Sequence, residues 1–113
     1  MIIVKNSISL DELKKMSEKM YGGLVKAVVD IEKEIMAIDA ELHADEEALL
    51  LNEGSKQEHL WGINIYPNNR DSENFIEFDS MINLRPSQDN RSRSIESKNL
   101  QEKIIAIVRK LVK

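Results

Sequence analysis

Residues 24 to 43 contain two consecutive runs in which apolar and polar residues alternate, and this alternation constrains the fold more than any other sequence feature. Side chains on a β-strand point to opposite faces with a period of two, so each run predicts a strand with one apolar face. If the chain folds back symmetrically about residues 32–33, Ala27 lies opposite Ile38. This register puts the apolar side chains of both strands on one face, which predicts an antiparallel hairpin.

Three further segments are predicted to add strands to this hairpin. Residues 2–4 form a short β-branched run, and residues 60–66 and 75–85 alternate up to Pro67 and Pro86. Proline cannot donate to a sheet ladder, so each proline ends its strand. The sequence therefore predicts five strands.

Amphipathic helices are predicted at both ends of the chain. The first runs from about Leu10 to Tyr21, after a capping box in which the hydroxyl of Ser9 accepts from the amide of Glu12. The last follows Ser97, which can cap it, and carries apolar residues at helical spacing.

The helix that follows the hairpin has two interpretations. Asp45 can cap a short helix in which Glu46 and Glu47 suit the positive end of the helix dipole. A helix that starts near Ala40, with His43 and Glu47 one turn apart, is the alternative. The clean strand alternation before Asp45 favours the first interpretation.

The element order β-α-β-β-α-β-β-α predicts one α+β domain over residues 1–113. We expect two layers, with a mostly antiparallel five-stranded sheet covered on one face by three helices. A chain of 113 residues can bury one core. The polar side chains of the strands are then expected to gather on the uncovered sheet face.

Composition excludes several classes of function, although it says less about the fold. The chain has no cysteine, which excludes disulfides, thiol catalysis and cysteine-ligated zinc. Its net charge of −4 argues against non-specific nucleic-acid binding. No apolar run approaches the ~18 residues of a membrane helix, and the N-terminus lacks the features of a signal peptide. We therefore expect a cytoplasmic protein that does not interact with membranes.

Four segments carry a resemblance to a known family. They are AELHAD at residues 40–45, LWGINIYP at 60–67, IEFDSMINLRP at 76–86 and NRSR at 90–93. The chain resembles an uncharacterised prokaryotic family that is known only as a domain of unknown function. The resemblance implies a bacterial or archaeal cytoplasmic origin, and it implies no activity, cofactor or catalytic residue.

The first candidate site is acidic. Asp39, Glu41 and His43 stand at alternate positions of one predicted strand, and Glu77 and Asp79 at alternate positions of another, so each set shares a face. If the strands are neighbours, these side chains can bind Mg²⁺, Mn²⁺ or Zn²⁺. The competing interpretation is a solvated face with cross-strand ion pairs.

A second candidate site contains Asn64, Tyr66, Glu77, Asn83 and Arg85, on the polar face of the predicted hairpin of residues 60–85. Asparagine is disfavoured within strands, so two of them need an explanation. They can bind a polar small molecule or peptide. A hydrogen-bonded network that orders the sheet is the favoured alternative.

The third candidate is the cluster of Arg85, Arg91 and Arg93 before the last helix. Arginine binds phosphate and carboxylate in bidentate fashion, so this loop can hold a phosphate, another anion or an acidic partner. The alternative is a loop whose arginines pair with nearby acidic residues.

Two functional hypotheses follow. The first is a binding or regulatory module that uses its polar sheet face, needs no cofactor, and forms a homodimer or binds a protein partner, with Met81 as a contact. The second is a divalent-metal-dependent hydrolase of a phosphate-containing substrate. In that case the acidic site holds Mg²⁺, Mn²⁺ or Zn²⁺, His43 is a ligand or general base, and the arginine loop holds the phosphate.

Overall fold

The predicted strands form one antiparallel sheet in the computed structural model, which describes residues 1–20 and 22–113. The strands are β1 (Ile2–Val4), β2 (Val25–Asp30), β3 (Ile35–Ile38), β4 (Leu60–Ile65) and β5 (Ile76–Glu77). Their order is β1-β3-β2-β4-β5, and Ala27 lies opposite Ile38 as predicted. The helices are α1 (Leu10–Ser17), α2 (His43–Asn52) and α3 (Lys98–Leu111). The predicted α+β class and five-stranded antiparallel sheet are confirmed.

The turn between β2 and β3 contains no glycine, and the carboxylate of Asp30 holds it instead. Oδ1 accepts from the amides of Glu32 and Lys33, both at 2.9 Å. Oδ2 accepts from the hydroxyl of Ser55 at 2.6 Å, which ties the turn to the chain after α2. Glu34 takes the left-handed position of the turn, with a φ of +56°, and the hydrogen bonds of Asp30 hold the residues before it.

Both predicted serine caps are present. The Ser9 hydroxyl accepts from the amide of Glu12 at 3.1 Å, and Ser97 caps α3 in the same way at 3.2 Å. Helix α1 ends at Ser17, before its predicted end at Tyr21, which lies outside the described residues.

Helices α1 and α3 cover one face of the sheet, where the main core lies. Helix α1 contributes Leu13, and α3 contributes Ile104 and Val108. The sheet contributes alternate residues of its central strands, which are Ala27, Val29, Met36, Ile38, Trp61, Ile63 and Ile65. Burying apolar surface is worth ~25 cal/mol per Å², so this face is a main source of stability.

Helix α2 lies on the opposite face, so the prediction that all three helices cover one face is wrong. Leu50 of α2 packs with Val28, Ala37 and Leu60, whose side chains alternate with those of the main core. Val28 and Ala37 are apolar residues within the predicted polar face, and they give α2 an apolar surface to pack on. That face is therefore largely covered.

The chain leaves β3 at Ile38, five residues before the predicted end of this strand at His43. Asp39 has a φ of +69°, a left-handed conformation that turns the chain out of the sheet. Helix α2 then starts at His43, with Leu42 rather than Asp45 at its N-cap. The observed start lies midway between the two interpretations, and α2 places His43 and Glu47 one turn apart, as the alternative predicted.

The strand predicted over residues 75–85 is also shorter, because its second half crosses above β4. A 3₁₀ turn, Met81–Asn83, follows Ser80, whose hydroxyl accepts from the amide of Ile82 at 3.3 Å. An ideal Cβ on Gly62 would lie 2.6 Å from the Cβ of Ser80. Glycine at this position of β4 therefore lets the crossing segment pack directly on the strand backbone.

Candidate functional site

The half of β4 that β5 does not reach is hydrogen-bonded by a side chain, Asn83. Strand β5 pairs with Asn64 and Ile65, which leaves the earlier part of β4 without a strand on that side. Oδ1 of Asn83 accepts from the N–H of Gly62 at 2.8 Å, and Nδ2 donates to the C=O of Gly62 at 2.9 Å. A primary amide offers the same donor and acceptor as a peptide group. Asn83 therefore extends the ladder beyond β5.

Arg85 binds the next outward-facing carbonyl of β4, that of Leu60, two residues before Gly62. Its guanidinium donates to the carbonyl of Leu60, to that of Gln57 at 2.7 Å and to that of Ile82 at 3.0 Å. It also lies over the Trp61 ring, 4.3 Å from the centroid. Partial burial lowers the pKa of Arg85 from its ordinary value. Its donors are engaged by the protein's own backbone.

Asn64, Tyr66 and Glu77 form a second small network at the β4–β5 pair. Oε1 of Glu77 accepts from Nδ2 of Asn64 at 2.8 Å and from the hydroxyl of Tyr66 at 3.1 Å. Burial, followed by the bond to Glu77, raises the pKa of Tyr66 above its ordinary value. The structure thus brings these three predicted residues together. Asn83 and Arg85 contact the earlier part of β4, at Gly62 and Leu60, and are not part of this network.

The arginine loop is organised by Asn90, a buried residue that the sequence did not single out. Its Nδ2 donates to the carbonyls of Asn83 at 2.7 Å and Ser94 at 2.8 Å, and its Oδ1 accepts from the amide of Glu96 at 2.9 Å. An asparagine between turn-forming residues carries no pattern that distinguishes a buried hub from a surface turn.

Arg91 and Arg93 are both exposed on this loop. Nε of Arg93 donates to Oδ1 of Asp79 at 2.9 Å, so one of the two guanidinium groups is paired with an acidic side chain. Arg85 points away from them, into the β4 edge. The three arginines therefore do not form one cluster, and anion binding at this loop stays a prediction.

The five predicted metal ligands are dispersed. Asp39 and Glu41 lie in the loop between β3 and α2, because β3 ends before them. Glu77 and Asp79 lie beyond β4, engaged by the network and the ion pair described above. Across residues 1–20 and 22–113, no group of three histidine or acidic side chains is placed to hold a metal ion.

His43, the fifth of them, points inward from the start of α2. Its ring is almost fully buried, and Nε2–H donates to the carbonyl of Ile63 at 2.7 Å. Burial lowers the pKa of His43, and the bond to Ile63 partly opposes this. A neutral imidazole that donates through Nε2 keeps α2 attached to the sheet.

Helix α2 also buries a carboxyl group, Glu46. Its Oε2 accepts from the amide of Ala40 at 3.1 Å, while Oε1 has no hydrogen-bond partner among the described residues. Burial raises the pKa of Glu46 to about 9, so this side chain is protonated at neutral pH. The sequence pattern assigned Glu46 only to the positive end of the helix dipole and did not predict its burial. The available signal was its helical spacing from His43 and Leu50, which puts all three on one face.

A cavity of about 180 Å³ lies beside the loop that Glu46 supports. Its lining comes from α1 and the turn after it, the start of β2, and the β3–α2 loop: Met16, Lys19, Met20, Val25, Lys26, Asp39, Ala40 and Glu41. Nζ of Lys26 donates to the carbonyl of Glu41 at 2.8 Å. The left-handed backbone of Asp39 costs of order 1–3 kcal/mol, and such strain often accompanies functional sites. This cavity and its supporting loop are the candidate site.

Comparison with known proteins places the chain in a family without assigning it a role. A family model described as a protein of unknown function (DUF5674) matches residues 2–111, so the chain belongs to that family. No curated protein and no solved structure matches it. Within the described residues, no helix is both long and apolar enough to cross a bilayer.

Proposed function

We propose that this member of a family of unknown function is a binding module that holds a small zwitterion with an apolar side chain. The site is the cavity between α1, β2 and the β3–α2 loop. The observation that carries the proposal is the composition of its lining, which combines two cations, two anions and two methionines. An α-amino acid is the simplest ligand that presents a carboxylate, an ammonium group and an apolar side chain within a few bonds.

The size of the cavity supports a small ligand. At about 180 Å³ it is below the ~300–1,000 Å³ of pockets that hold drug-sized molecules. Met16 and Met20 are flexible and polarizable side chains, which adapt to apolar groups of different shape. The lining therefore favours a compact metabolite over a nucleotide or a peptide.

The charges support a ligand of no net charge. Lys19 and Lys26 are balanced by Asp39 and Glu41, so a simple anion or cation would meet repulsion as well as attraction. An ammonium group has three donors, and Lys26 uses one of them on the carbonyl of Glu41. Donors therefore remain for a ligand carboxylate, while the acidic residues suit a ligand ammonium group.

The test is an amide NMR titration of the purified protein with leucine, methionine, valine and phenylalanine. We expect saturable shifts confined to residues 16–26 and 39–41 with at least one of them. N-acetylleucine, which lacks the ammonium group, and leucinamide, which lacks the carboxylate, are expected to bind at least about tenfold more weakly than leucine if leucine binds. Each loses one charge-assisted hydrogen bond, which is worth ~1.5–3 kcal/mol.

Two variants locate the site. Lys26→Met keeps an apolar stem of similar length and removes the ammonium group, so we expect about a tenfold or greater loss of affinity. Lys56→Met changes an exposed lysine in the loop before β4 and is expected to bind as the parent does. Absence of saturable shifts at millimolar amino acid, or equal binding by both variants, would refute the proposal.

The geometry does not favour the two hypotheses drawn from the sequence in their original form. The polar sheet face is largely covered by α2 and by residues 80–94. The proposed binding site therefore lies at the edge of that face, beside Lys26 and the β3–α2 loop. The metal-dependent hydrolase stays a prediction, and the dispersion of its proposed ligands lends it no support.

A further inference from the structure

The two edges of the sheet differ in how their backbone groups are used. On the β5 side, Asn83 and Arg85 occupy the β4 peptide groups that the short β5 leaves free. On the other side, β3 is the only strand beside β1 among the residues that the structure describes. β1 has only three residues, which limits the edge that it exposes, but it contains no proline and no charged residue, two other devices that protect exposed edges.

The direction of the β1 peptide groups follows from the ladder. Directly opposed residues of antiparallel strands either exchange both hydrogen bonds or exchange none. The N–H of Gly62 bonds to Asn83, away from β2, so its partner Val28 must bond towards β3 and exchange with Ala37. Ala37 then has no backbone bond to its other partner, Ile3. The N–H and C=O of Ile3 therefore point outward, to the free edge.

We propose that β1 pairs with β1 of a second copy of this chain, antiparallel and centred on Ile3. Its two outward groups would exchange hydrogen bonds with those of Ile3 in the second copy across a twofold axis. Ile2, which is 43% exposed, would then lie opposite Val4 of the second copy. The two five-stranded sheets would become one sheet of ten strands.

A second copy fits this edge better than an unrelated strand does, for two reasons. The run Ile2-Ile3-Val4 has a β-branched residue at every position, so the antiparallel arrangement places β-branched side chains opposite one another throughout and opposes no like charges. In addition, the far edge offers little free strand, because β5 has only two residues and Asn83 and Arg85 bind the part of β4 that β5 leaves unpaired. Pairing through β1 therefore ends at two copies and gives a closed dimer, not an open array.

The space beside β1 is compatible with an added strand. A groove of about 350 Å³ runs along it, lined by residues 2–8 and by Glu12. The groove beside β1 shares no lining residue with the cavity proposed to bind an amino acid. An experiment can therefore refute the dimer without refuting the proposed function, and the reverse.

Introduced cysteines test the register, because the chain contains no cysteine of its own. Ile3→Cys places the two thiols across the twofold axis with Cα atoms ~5.5 Å apart, within the range that a disulfide spans. Lys5→Cys is the matched control. In the dimer the two cysteines at position 5 would lie four residues apart along the paired strands. That separation is ~13 Å, which a disulfide cannot bridge. We expect mild oxidation to give a covalent dimer of the first variant and not of the second.

Ile3→Pro tests whether backbone pairing holds the dimer together. Proline removes an N–H that points to solvent in the monomer, a substitution that edge strands tolerate. With untagged protein in sedimentation equilibrium, we expect the parent to dimerise with rising concentration and Ile3→Pro to remain a monomer with an unchanged circular dichroism spectrum. Leu84→Lys, at an exposed residue near the other edge, is the control and is expected to leave the association constant unchanged.

Two results would overturn the proposal. One is a parent protein that is monomeric at all concentrations up to about 1 mM and a position-3 cysteine that does not cross-link. The other is a dimer that persists in folded Ile3→Pro, or that cross-links equally well through position 5.

Discussion

Glu46 keeps its proton because its surroundings stabilise a neutral carboxylic acid better than a carboxylate. It accepts one hydrogen bond, from the amide of Ala40, and the ammonium group of Lys26, whose charge favours the carboxylate, is bonded to the carbonyl of Glu41. Burial therefore outweighs the cation, and the pKa rises to about 9.

The pH dependence of stability should reveal this proton. Between an unfolded pKa near 4.5 and a folded pKa of about 9, the unfolded chain loses the Glu46 proton and the folded chain keeps it. The free energy of unfolding therefore falls as pH rises through this window, by up to ~1.4 kcal/mol per pH unit. Glu46→Gln has no proton to lose, so we expect its advantage over the parent to grow from pH 7 to pH 9 in urea unfolding.

The window from pH 7 to pH 9 avoids the opposite contribution of His43. The folded pKa of His43 is lowered from 6.5, so its contribution to stability grows as pH rises towards 6.5 and is complete above it. Glu53→Gln, at an exposed residue just after α2, is the control and should track the parent at every pH. A constant difference between Glu46→Gln and the parent would contradict a protonated Glu46.

Asn83 acts at the scale of an element, because it stands in for a residue of a missing strand. Asn83→Ala leaves the N–H and C=O of Gly62 buried without a partner, at ~1–3 kcal/mol for each unsatisfied group. We expect the free energy of unfolding to fall by at least about 2 kcal/mol in urea titrations. Asn99→Ala, at an exposed position of α3, should change it by less than about 0.5 kcal/mol. Equal effects of the two substitutions would exclude the ladder role.

Element prediction succeeded where local chemistry decides the structure and failed where distant contacts do. The hairpin register and the caps at Ser9 and Ser97 follow from spacing within a few residues. The end of β3 depends on the left-handed Asp39, and the crossing of residues 80–83 depends on the space above Gly62, which lies about twenty residues away in sequence. Alternation continues through both breaks, so the pattern alone extends each strand too far.

Prediction of the candidate site also succeeded for local features and failed for features that depend on distant contacts. Asn64 and Asn83 were both predicted within strands, where asparagine is disfavoured; Asn64 does lie in β4, whereas Asn83 lies in a 3₁₀ turn, and both side chains are hydrogen-bonded. The pairing partner of Asn83 is a backbone group, which no side-chain pattern can indicate. The burial of Glu46 was not predicted, because a glutamate in the first turn of a helix is ordinarily exposed and only the packing of α2 buries this one.

At the scale of the whole molecule, two cores share one sheet. Leu50 anchors the core under α2, and Ile104 belongs to the core under α1 and α3. Strands β2, β3 and β4 contribute side chains to both, so loss of either core should weaken the same strands. We therefore expect one cooperative transition for the whole domain.

Leu50→Ala and Ile104→Ala test this coupling. Each removes a fully buried side chain and should lower the free energy of unfolding by ~2–5 kcal/mol. Fluorescence of Trp61, the single tryptophan, reports the main core, and far-ultraviolet circular dichroism reports all helices. We expect the two signals to share one midpoint in urea for both variants. If Leu50→Ala shifts only the dichroism, α2 unfolds separately.

The buried acid also makes folding of this domain a proton-consuming reaction. An unfolded chain at neutral pH carries Glu46 as a carboxylate, and the folded chain carries it as an acid, so each folding event takes about one proton from the solvent. The proton comes from the buffer, whose heat of ionisation is then included in the heat measured for unfolding. The calorimetric enthalpy of this protein will therefore differ between phosphate and an amine buffer at the same pH, although its structure is the same in both.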